Sequence, residues 1–78
     1  MDPNATWLLL LQAIQSEDWK AVRDHAEDLE HWLDRGGFPP DTCNGAVADQ
    51  YWNKRMARHA CKLAKGIAQR QRRRSIKP

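Results

Sequence analysis

Trp32-Leu33-Asp34-Arg35-Gly36-Gly37-Phe38-Pro39-Pro40 is the stretch on which the fold turns. Gly-Gly directly behind an apolar helical run supplies a left-handed C-terminal cap at little steric cost, and the Pro-Pro that follows keeps a helix from resuming. The stretch predicts a helix end near Arg35 and a corner after it. Charge changes sign at the same place. Residues 1 to 42 hold nine acids and three bases, and residues 43 to 78 hold one acid and ten bases, beneath a net charge of +3. An acidic half is joined to a basic half.

Upstream of the corner, Trp19, Val22, Ala26, Leu29 and Leu33 recur at spacings of three and four, the seam of an amphipathic helix over about 17–35. Ser16 is its predicted N-cap, with Glu17 and Asp18 in the first turn. Lys20, Arg23, Asp24, Glu27, Asp28, Glu30, His31 and Asp34 gather on the opposite side, with Lys20/Asp24 and Arg23/Glu27 spaced as i,i+4 pairs. An earlier helix over about 3–15 starts from Asp2 as N-cap and Pro3 at the first helical position. Its Trp7, Leu10, Leu11 and Ile14 form one stripe, but Leu8 and Leu9 point elsewhere. A helix apolar nearly all round is expected to be wedged between two others or shared with a second copy.

Downstream, Phe38 is expected to fold back as an apolar plug, so that Phe38→Ala would cost about 3–5 kcal/mol. Asp41, Thr42 or Asn44 then opens a third helix over about 45–72, approaching 45 Å in length. Gly66 weakens this helix without stopping it. Trp52, Met56, Ala57, Ala60, Cys61, Leu63, Ala64, Ile67 and Ala68 occupy one half of its wheel; Lys54, Arg55, Arg58, Lys62, Lys65 and Arg72 share the other with Val47, Tyr51 and Gln69. Arg70 and Arg74 break the separation, so packing is expected to end near Ala68. The expected architecture is all-α: an antiparallel hairpin plus a long third helix, one domain over 1–68, and a frayed basic tail over 69–78. Nearly half of the third helix, carrying Leu63, Ala64 and Ile67, is expected to overhang the hairpin.

Residues 7–38, with Asp18-Trp19 at the turn and Ala26 and Leu29 following, resemble a tetratricopeptide helical hairpin. The 26–40 segment is also similar to short proteins that end a helix in Leu-x-x-Trp-Leu-x-x-Gly-Gly-Phe-Pro-Pro. These resemblances imply shape and no function.

A chain of 78 residues forms one small domain of thin stability, which favours partners or oligomers. No run reaches the roughly 18 apolar residues of a transmembrane helix, and the Leu8–Leu11 block follows Asp2 rather than a basic stretch, so neither a membrane span nor a signal peptide is expected. Cytoplasm is the expected compartment. Cys43 and Cys61 lie in no zinc or redox spacing and are expected as free thiols. His59 and Cys61, about 200° apart on a helix, cannot close on one ion together. No metal, other cofactor, small-molecule substrate or enzymatic activity is expected, since no phosphate loop, acyl-transfer elbow or paired carboxylates appear.

The basic face carries the functional expectation. Lys54, Arg55, Arg58, Lys62, Lys65, Arg70, Arg72, Arg73 and Arg74 would neutralise phosphates on nucleic acid, or meet an acidic protein surface. The acids of the second helix and the bases of the third each oppose their own seam, so both charged faces are expected to point outward. Trp7, Trp19 and Trp52 fall on apolar stripes and are assigned to the core. Tyr51 lies on the basic face and Trp32 off the seam; with Leu63 and Ile67 they are the expected contacts to a partner or second copy. The alternative function is a protein–protein adaptor or regulatory subunit, expected to be a homo-oligomer.

Overall fold

The computed structural model describes residues 1–46 and 49–76, with side chains as far as Gln71. It is an all-α arrangement of α1 (Pro3–Gln15), α2 (Trp19–Asp34) and α3 (Gln50–Ile76). Asp2 caps α1 as expected, its Oδ1 accepting from the N–H groups of Asn4 and Ala5.

Both hairpin helices end in the same device. Gly36, at φ +83°, donates to the Leu33 carbonyl, and Gly37 donates to the Trp32 carbonyl, which is a Schellman motif. At the end of α1, Glu17 takes the left-handed position (φ 58°) and donates to Ile14, while Asp18 donates to Ala13. This tight turn moves the start of α2. Asp18, not Ser16, is its N-cap, accepting from Ala21 N–H, and Ser16 closes α1 instead.

α2 is the central helix, which corrects the first of the two expectations for α1, that it would be wedged between the others rather than shared with a second copy. α1 and α3 each pack along α2 and touch one another sparsely. The cause is the composition of the rows. Val22, Ala26, Leu29 and Leu33 are 1% exposed or less, an unbroken apolar seam, whereas α1 spreads its leucines around its circumference and buries only Pro3, Leu10 and Ala13. Leu8, Leu9 and Leu11 remain exposed.

The inner row of α3 is Asn53, Ala57, Cys61, Ala64 and Ala68. This row of small side chains, at spacings of four, four, three and four, is the part of α3 that is buried. Trp52 and Met56, expected in the core, therefore lie beside the seam and are 47% and 41% exposed. Trp7 and Trp19 are half-buried against the core. Contact with α2 continues to Ala68, so Ala64 is core and Ile67 half-buried rather than overhanging, while Leu63 is exposed.

The expected caps Asp41, Thr42 and Asn44 do not open α3. Asn44 and Gly45 both take left-handed φ values, which turn the chain instead, and Asp49 caps the helix by accepting from Tyr51 N–H at 2.8 Å. The connecting segment is tied at three points. Asp41 N–H donates to Asn4 Oδ1, Pro40 is buried, and both the N–H and the hydroxyl of Thr42 donate to the Oδ1 of buried Asn53. Phe38 is not the plug: its side chain is 55% exposed.

Candidate nucleic-acid interface

From Gln50 to Ile76 the helix has nine bases and no acid, so its sides differ by what lies opposite them. On the flank facing α2, Arg58 pairs with Asp34 at 2.8 Å, and Lys65 pairs with Glu30. The helices run antiparallel, which sets residue 30 against 65 and residue 34 near 58. This corrects the expectation that both charged faces point outward: along one flank they meet. The hydrogen bond from Lys65 to Glu30 raises the lysine pKa, and with solvent at hand such pairs contribute about 0–1 kcal/mol each.

The bases left to a partner are those of the outer side. Arg55, Lys62 and Arg70 are exposed, while Lys54, on the same flank as Arg58, is half-buried; none has a carboxylate partner among the described residues. Arg72, Arg73 and Arg74 lie on the last turns of the α3 backbone, and their side chains fall outside the described residues. Tyr51 is 67% exposed, and the Arg55 guanidinium lies 5.6 Å above its ring while donating to its hydroxyl. Trp52 stands beside it with its indole N–H directed to Cys43 Sγ at 3.4 Å.

Sequence reasoning missed Trp52 and Met56 as surface groups. The signal that marks them is the small-residue row, which alone is narrow enough to be the seam. Trp32, half-buried, packs on the core and on Gly37. At the corner, Gly37, Phe38, Pro39, Gln50, Tyr51 and Lys54 line an open cleft of about 420 Å3.

The other reactive groups have structural surroundings. Burial, reinforced by the Glu30 charge and offset in part by Lys65, pushes the Cys61 thiol up to about 12. It is a proton-holding core residue at neutral pH, not a thiolate nucleophile. Both cysteines are free. Among the described residues no group of three His, Cys, Asp or Glu could hold a metal ion, and no helix is long and apolar enough to cross a membrane. The pairs Lys20–Asp24 and Arg23–Glu27 lie along the exposed side of α2. No known protein family, curated protein or solved structure matches the chain.

Proposed function

We propose that this is a small noncatalytic binding protein that lays the outer side of α3 on nucleic acid or a nucleoprotein assembly. The observation that carries this reading is the asymmetry of α3: an acid-free helix whose inner bases Arg58 and Lys65 are matched by α2 and whose outer bases Arg55, Lys62 and Arg70 are not. A row of unmatched cations displaces counterions from a phosphate backbone, giving affinity that needs no base-specific contact. Arg72, Arg73 and Arg74 extend the same sequence of charge toward the C-terminus. The test is a binding titration with short DNA and RNA at low salt, repeated with Arg55→Glu and Lys62→Glu. Loss of binding in the double variant is expected; absence of binding by the native chain refutes the reading.

A second reading is supported by a different observation, the apolar surface left on both outer helices: Leu8, Leu9 and Leu11 on α1, and Trp52, Met56 and Leu63 on α3. Exposed apolar groups in this number favour a protein partner, of which a second copy of the chain is the simplest. Sedimentation of the native chain beside Leu9→Asp/Leu63→Asp tests it. The native chain is expected to be larger than a monomer and the variant a monomer.

A further inference from the structure

We infer that the corner cleft is a stacking subsite for an unpaired base, so that the ligand of the basic face is single-stranded nucleic acid. This rests on the basic-face reading and narrows its ligand. The cleft is open to solvent and holds about 420 Å3. Two of its walls are aromatic and held in place before any ligand arrives. Phe38 meets Trp32 edge to face, with its carbonyl fixed by the Trp32 indole N–H at 2.8 Å, and its ring is still 55% exposed. Tyr51 is tied to Arg55, whose guanidinium lies 5.6 Å from the ring centroid and donates to the hydroxyl, and the residue is nonetheless two-thirds exposed. Rings already ordered lose little freedom on binding.

The charge of the cleft suits the same ligand. Lys54 lines it and no carboxylate does. From the cleft, Arg55 and Lys62 continue along the outer side of α3, where a backbone leaving the stacked base finds cations. A duplex cannot use this arrangement, because the faces of its bases are covered by their neighbours. A single strand can, since every base has a free π-face to offer an aromatic side chain.

The experiment compares a labelled mixed-sequence single strand with a duplex of equal length, binding the full chain at low salt. The single strand is expected to bind about tenfold tighter, and Tyr51→Ala, alone and with Phe38→Ala, to lose about tenfold of that affinity while leaving duplex affinity unchanged. Both side chains are exposed, so the variants are expected to keep the native helical circular dichroism; Tyr51→Phe keeps the ring, loses only the hydrogen bond from Arg55, and should bind far closer to the native chain than Tyr51→Ala does. Equal affinity for the two ligands, with Tyr51→Ala neutral, overturns the stacking subsite and leaves the basic face standing. No binding to either ligand overturns both.

Discussion

Trp32 donates its indole N–H to the carbonyl oxygen of Phe38 at 2.8 Å, and the two rings meet edge to face with centroids 5.8 Å apart. The corner is thus held by the backbone of Phe38 and the side chain of Trp32. The indole lies so close over Gly37 that a Cβ built there would stand 2.3 Å from Trp32 Cε2.

The consequence for stability reverses the weight of the two aromatics. Phe38→Ala is expected to cost about 0.5–1.5 kcal/mol, the worth of an edge contact, instead of the several kcal/mol of a buried ring. Trp32→Ala should cost about 3 kcal/mol or more, because it opens a cavity and frees the Phe38 carbonyl. Gly37→Ala should resemble Trp32→Ala, since the indole must leave. Urea unfolding of the three variants checks the order.

Glu17 occupies the left-handed position between α1 and α2, where a side chain costs about 1–2 kcal/mol and glycine does not. Glu17→Gly should therefore raise the melting temperature, by an amount worth about 0.5–1 kcal/mol after the added freedom of the unfolded chain is subtracted. A lowered melting temperature would mean that the Glu17 side chain contributes more than its backbone strain costs.

Buried Cys61 makes stability depend on alkaline pH. The folded thiol keeps its proton to about 12 and the unfolded thiol to about 9.0, so between these values the folded state binds more protons. Stability then falls as pH rises, by about 1.4 kcal/mol per unit. The Lys65 pKa is also raised in the folded state, so the contribution of its pair with Glu30 is intact below 10.5 and is lost as pH rises through the folded value, in the same direction. Cys61→Ala should flatten the decline above pH 9.0 and leave the Lys65 part. Thiol labelling gives a second check: in the native chain half-buried Cys43 reacts well before Cys61.

The hairpin was legible because its signals are local. Asp2-Pro3 capping, the three-and-four spacing of α2 and the Gly36-Gly37 stop each act within a few residues. What the sequence left open depended on contacts distant along the chain. The start of α3 moved because Thr42 is satisfied by Asn53 and because Asn44 and Gly45 turn the chain. Trp52 and Met56 left the core because hydrophobicity ranks them above alanine, whereas the packing of α3 on α2 selects the smallest row. The candidate interface was half legible. The acid-free run could be counted, but which bases face α2 follows from the antiparallel register that pairs Glu30 with Lys65 and Asp34 with Arg58.

The salt dependence of nucleic-acid binding tests the central claim most directly. For the native chain the logarithm of the association constant should fall linearly with the logarithm of salt concentration, and Arg55→Glu and Lys62→Glu should each reduce the slope by about one. Arg58→Gln, which removes a base already paired with Asp34, should leave the slope nearly unchanged. A slope that ignores Arg55 and Lys62, or no binding at low salt, would contradict the account.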